Sequence, residues 1–262
     1  MNASSQPSQM ADLASAWWTA HALTTSVTRV LPTGDAALDA QLPGGGWPLG
    51  CMIEVLQADT VHAEWRLLLP ALARSGQGLV VLVGAPHVPF APALQAQGLK
   101  ASRLLWVQTS LLRHRLWAAE QALSCAQVDA VLLWLSGAQD AAAIPRRDHL
   151  KRLQLAAAQH AKLLFVVRAA RASDGVSPAP LRLELRMPGA TVDGSTGSWK
   201  HFSDLHVHVR KRRGPPLDRA LGLRAYSTAL DSLVAIHQQG AACSVQASVD
   251  GQHALDRSVP CA

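Results

Sequence analysis

The run Gly78-Leu-Val-Val-Leu-Val-Gly84 constrains the fold more than any other stretch of the chain. A strand with one wet face alternates apolar and polar residues. A run that is apolar on both faces belongs to a strand covered on both sides, as in the middle of a parallel sheet. The same texture recurs at Met52–Leu56, Leu104–Gln108, Ala130–Leu135 and Lys162–Val167. Between these runs, Val61–Ser75 carries Trp65, Leu68, Leu69 and Leu72 at helical spacing, and Phe90–Gln97, Leu111–Gln127 and Asp148–His160 also read as helices. Repeated strand–helix units predict a mostly parallel sheet flanked by helices. The pattern then changes. Leu181–Met187 alternates strictly between apolar and charged residues, and Trp199–Arg210 alternates likewise through Leu205, Val207 and Val209. Such strands have one buried and one wet face, so they are expected as an antiparallel pair at the sheet edge.

Composition narrows the class. Of 262 residues 49% are hydrophobic and 16% charged, which suits a packed core rather than disorder. No apolar run reaches the ~18–20 residues that span a bilayer. Met1–Met10 is polar and lacks a basic-then-apolar leader pattern, so a cytoplasmic protein without membrane contact is expected. Cys51, Cys125, Cys243 and Cys261 are scattered and suggest neither a zinc knuckle nor a disulfide framework. The net charge of +6 permits an acidic partner such as nucleic acid. Three segments follow: a helical N-terminal segment over 1–28, with Trp17-Trp18 in an Ala-rich stretch; a core over 29–213; and a flexible tail over 214–262.

Before the first strand the chain reads Pro32-Thr33-Gly34-Asp35, Leu38-Asp39, then Gly44-Gly45-Gly46-Trp47-Pro48-Leu49-Gly50. This is the approach to a nucleotide-binding P-loop, which needs G-x-x-x-x-G-K-[ST] after the strand so that backbone amides, a lysine and a hydroxyl meet phosphate and Mg²⁺. Here the strand is followed by Gln57-Ala58-Asp59-Thr60-Val61-His62-Ala63-Glu64, with no glycine and no lysine.

That wording, with the strand register downstream and Lys211-Arg212-Arg213-Gly214-Pro215-Pro216, resembles the ImuA family, RecA-like accessory proteins of the SOS-induced mutasome related to the group that includes SulA. The resemblance covers about residues 29–213. It implies a RecA-like fold of the P-loop NTPase type with a degenerate loop. Carried over position by position, the phosphate-binding loop falls at Gln57–Glu64, including Asp59 and Thr60. The water-activating carboxylate falls at about Pro86, the Walker B aspartate at about Trp134, and the γ-phosphate sensor at about Arg168. Phosphoryl transfer rests on positioned charge and metal, so these replacements imply no ATPase and no cofactor. The family setting implies an accessory role in translesion synthesis. The expected partners are an ImuB-like Y-family protein and an error-prone C-family DNA polymerase, with RecA and DNA as further ones. Two other readings stand beside it: a SulA-like division inhibitor that binds a cytoskeletal GTPase, and a divergent ATP-binding enzyme.

Other candidates are weaker. Trp47 is either a partner-facing anchor or a core residue capping a tight turn. Arg147, Lys151 and Arg152 share a helix face, and Arg210-Lys211-Arg212-Arg213 is a denser basic run; both are candidate DNA or partner contacts. His206 and His208, with His201 nearby, lack the companions a metal site needs and read as a wet strand face. Ser110, Ser124 and Ser136 have no nucleophile-elbow context.

Overall fold

The computed structural model describes residues 29–58, 62–135, 145–173, 175–187 and 204–224. Among the described residues ten strands follow in order: β1 Val30–Leu31, β2 Trp47–Pro48, β3 Met52–Gln57, β4 Leu79–Val83, β5 Leu104–Val107, β6 Val128–Trp134, β7 Leu163–Ala169, β8 Leu181–Arg186, β9 Asp204–Lys211 and β10 Leu221–Arg224. The helices are α1 Ala36–Asp39, α2 Glu64–Leu72, α3 Ala91–Ala96, α4 Leu112–Ser124 and α5 Arg147–His160. Eight strands form one sheet in the order β10-β9-β8-β3-β7-β6-β4-β5, while β1 and β2 pair separately. From β8 to β5 every pairing is parallel; β9 and β10 are added antiparallel. The result is a mostly parallel α/β sheet flanked by helices, compatible with a RecA-like fold.

The β-branched runs dictate this arrangement. Each central strand feeds two cores by alternation. Ile53, Val55, Val80, Leu82, Leu132 and Phe165 pack with α1, α2 and α3 on one face. Met52, Val81, Val83, Val131, Leu133 and Leu164 pack with α4 and α5 on the other. Strands buried on both faces carry no polar side, which is why their sequences do not alternate.

The P-loop-like approach is explained by local structure. Asp35 caps α1, its Oδ1 accepting from the amides of Ala37 at 2.9 Å and Leu38 at 3.0 Å. Asp39 accepts from the Thr33 amide at 2.8 Å, and Leu38 is fully buried. Gly34 has φ +98°, and a Cβ there would come within 2.5 Å of the Pro70 side chain. A Cβ on Gly46 would lie 2.4 Å from the Leu31 carbonyl oxygen, a clash no side chain escapes. The motif is therefore a backbone device that brings Trp47 under the sheet.

Two expectations need correction. The charged face of β8 is not wet, because Arg182 and Glu184 are buried. The ordered sheet also continues past residue 213, since β10 places buried Leu221 and Leu223 against β9. The expected N-terminal helix and residues 225–262 of the expected tail lie outside the described residues. Among the described residues no helix is long and apolar enough to cross a membrane.

Candidate functional site

Because β3, β4, β6 and β7 run parallel, their carboxyl ends lie on one side of the sheet, where open α/β sheets bind ligands. Gln57, Pro86, Trp134 and Arg168 all belong to that end: Leu56 pairs with Arg168, and Trp134 with Val167. Asp59 and Thr60 lie outside the described residues.

Alternation divides these residues between two faces. On the α2 face, Gln57 Nε2 donates to Glu64 Oε2 at 2.8 Å, and Trp134 Nε1 donates to Glu64 Oε1 at 3.1 Å. Glu64 is 1% exposed, so two neutral donors hold a buried carboxylate beside the end of β3. Gln57 Oε1 is buried and accepts from no partner. Trp134 meets Trp65 of α2 at a ring separation of 6.3 Å. Arg115 crosses above, its Nη1 donating to the Trp134 carbonyl at 3.0 Å and its Nε to the Thr109 carbonyl at 2.9 Å. Burial lowers its pKa. Gly84, at φ +66°, leaves the space, since a Cβ there would sit 2.6 Å from Arg115 Nε.

On the opposite face Arg168 has a different fate. Its Nη1 donates to Glu54 Oε1 at 2.8 Å, and Glu54 is fully buried in the middle of β3. Arg182 Nε donates to Glu54 Oε2 at 2.7 Å, and the Ser177 hydroxyl donates to Oε1, also at 2.7 Å. Arg182 further donates to the carbonyls of Ala172, Ser173 and Gly175, tying the connection after β7 to β8. Arg168 and Trp134 thus do not share a site.

A cleft of about 330 Å³ opens beside the Glu64 cluster, between α2 and the segment leading from β4 into α3. Trp65, Arg66, Pro86, His87, Phe90 and Trp134 are among its walls. The His62 and His87 rings meet edge to face at 4.6 Å. Pro86 is exposed on the rim.

The remaining candidates are placed as follows. Trp47 is fully buried and stacks edge to face on Phe165 at 5.4 Å; it is a core anchor, not a partner-facing residue. Arg210 pairs with Glu184, Lys211 Nζ donates to the Ser177 carbonyl at 3.1 Å, and Arg212 donates to the carbonyls of Gln41 and Pro215. Arg213 is exposed. Arg152 pairs with Glu120 at 2.6 Å, Lys151 lies 3.7 Å from Asp148, and Arg147 is exposed at the start of α5. The two basic groups are not brought together. Helix α5 begins at the carboxyl end of the parallel strands, whereas β9 runs antiparallel and ends at their amino end, where Lys211 opposes Arg182. His206 and His208 are half-buried, and among the described residues no cluster of His, Cys, Asp or Glu is arranged to hold a metal ion.

Glu54 and Arg66 were missed by sequence reasoning, and Glu64 entered it only as the last residue of the loop position. Glu54 carried a signal: a carboxylate inside Met-Ile-Glu-Val-Leu must find a cation once the strand is buried. Glu64 and Arg66, at the start of an amphipathic helix, gave none. No protein-family model matches this chain, and no curated protein matches it significantly.

Proposed function

We propose that this chain is a non-catalytic assembly protein of SOS-induced translesion synthesis, built on a RecA-like scaffold with a degenerate nucleotide position. Its resemblance to ImuA proteins supplies the setting: it bridges an ImuB-like Y-family protein and an error-prone C-family polymerase, with RecA or DNA as a further contact. One observation carries the non-catalytic half of this reading. Gln57, Glu64 and Trp134 close on one another by hydrogen bonds beside the end of β3. Phosphoryl transfer requires amides, a lysine and a metal at that position. A buried carboxylate there opposes the phosphates of a nucleotide. The cation assigned to the γ-phosphate position, Arg168, is neutralised by Glu54 on the other face.

Two measurements test the reading. Titration with labelled ATP and Mg²⁺ is expected to give no saturable binding at millimolar nucleotide; saturation in the micromolar range would restore the divergent-ATPase reading. The full chain is expected to co-purify with an ImuB-like partner. A chain ending at Arg224, which keeps β10, separates the contribution of the last 38 residues from that of the sheet (262 − 224). Filamentation on overproduction, in cells lacking the ImuB-like protein, would favour the division inhibitor instead.

A further inference from the structure

The cleft beside α2 combines two features that the degenerate nucleotide site does not account for. The first is an unsatisfied cation. Arg66, half-buried in the cleft wall, has its Nε buried with no hydrogen-bond partner, and no ion pair involves it among the described residues. A buried guanidinium N–H without an acceptor is costly, and the Nη groups of the same unpaired guanidinium are the donors a carboxylate matches best. Glu64 also lines the cleft, but its two oxygens already accept from Gln57 and Trp134. The second is an apolar surface that runs beyond the cavity. Val88 is 72% exposed and Phe90 69% exposed on the segment that forms one wall, while Trp65 and Trp134 form the opposite side. Large apolar side chains at a cleft rim mark binding surfaces.

We propose that this cleft is a docking pocket for an extended segment of a partner protein, one that presents a carboxylate side chain to Arg66 and an adjacent large apolar side chain to the Trp65–Trp134–Phe90 walls. A volume of about 330 Å³ suits one or two side chains, not a folded element. Val88 and Phe90 line the cleft yet turn most of their surface outward, which fits a chain that continues over the rim and which a small molecule held within the cavity does not need. The accessible charge agrees, since Arg66 lines the cleft with no ion pair among the described residues, whereas the Glu64 carboxylate is 1% exposed and turned to Gln57 and Trp134. The inference rests on the cleft's geometry and does not depend on which machinery the protein serves.

The test uses the full-length chain and a positional set of fluorescein-labelled pentapeptides, blocked at both ends, with Asp, Asn or Lys beside Leu, Phe or Ala. Polarisation titrations are expected to show saturable binding of the Asp–Phe and Asp–Leu members at sub-millimolar concentration. Replacing Asp by Asn is expected to weaken binding about tenfold, as for loss of a charge-assisted hydrogen bond. Arg66→Gln should erase the Asp-over-Asn preference without lowering the thermal melt. Phe90→Ala, at an exposed position, should weaken both peptides alike. Equal binding of Asp and Lys peptides, a preference that survives Arg66→Gln, or no member binding up to millimolar concentration would overturn the proposal. So would displacement of bound peptide by Mg-ATP, which would make the cleft a nucleotide site. None of these outcomes involves an ImuB-like protein, so failure here is distinguishable from failure of the accessory role.

Discussion

Two carboxylates ten residues apart, Glu54 and Glu64, are both buried, yet the chain satisfies them in opposite ways. Glu54 lies between two guanidiniums and a hydroxyl, so its charge is compensated in the sheet. Glu64 is held by an amide and an indole, neutral donors that satisfy its oxygens without cancelling its charge. The contrast follows from strand alternation: one face of β3 carries the ion cluster and the other faces the Gln57–Glu64–Trp134 cluster. It teaches that one strand can bury a carboxylate on each face and satisfy the two by different chemistry, one by cations and the other by neutral donors.

Breaking the ion cluster should have the larger effect. Glu54→Ala leaves the buried Arg182 and the half-buried Arg168 without their carboxylate and should cost about 3–5 kcal/mol of stability, read from urea unfolding. A loss below 1 kcal/mol would mean that the cluster is hydrated or rearranges. The neutral site should be softer. Trp134→Phe keeps most of the ring volume but removes one donor to Glu64, for an expected loss of about 1–3 kcal/mol. A double-mutant cycle sharpens the comparison, because coupling between Glu54 and Arg182 should exceed coupling between Glu64 and Trp134. Equal coupling energies would erase the distinction.

Acid should act through a third group on the sheet, the face shared by β8 and β9. Burial opposes ionisation of Glu184, but hydrogen bonds and charges from Arg186 and Arg210 outweigh it and hold its pKa below the ordinary value. His208 is shifted down as well, first by burial and then by Arg186. A depressed folded pKa contributes stability above the unfolded pKa that is lost as pH falls through the folded one. The melting temperature should therefore decline first below about pH 6.5, through His208, and again below about pH 4.3, through Glu184. His208→Gln should flatten the first decline and Glu184→Gln the second; an unchanged profile in both would remove the assignment. The smallest effect is expected at the basic run. Arg213→Gln should change stability by less than about 0.5 kcal/mol, whereas Arg210→Gln leaves Glu184 with one fewer cation and should cost up to about 1 kcal/mol. If DNA is bound by this run, charge reversal at Arg213 should reduce retention most per unit of stability lost.

Much of the fold was legible. The runs at Met52–Leu56, Gly78–Gly84, Ala130–Leu135 and Lys162–Val167 each contain or overlap an observed strand, because burial on both faces leaves a continuous apolar signature. Helices α2 and α4 are shorter than their apolar periodicity suggested, spanning Glu64–Leu72 and Leu112–Ser124, while α5 at Arg147–His160 is one residue longer. Periodicity reports which face packs, not where the hydrogen bonds stop. The site was less legible. Trp47 sits in a glycine-rich stretch, and only the path of that stretch under Phe165 decides that it is core. Arg210, Lys211 and Arg212 looked like a free cationic run until the strand register set them beside Glu184 and backbone carbonyls.

The sequence by itself determined that a parallel sheet would form, since the pattern of doubly apolar strands separated by amphipathic helices fits few other architectures. It also determined that no glycine or lysine follows β3. Only the tertiary structure decided what stands there instead. Which buried charge meets which partner depends on strand order and pairing register, and residues such as Glu54 and Arg182, 128 positions apart, are joined only when β8 falls in line beside β3.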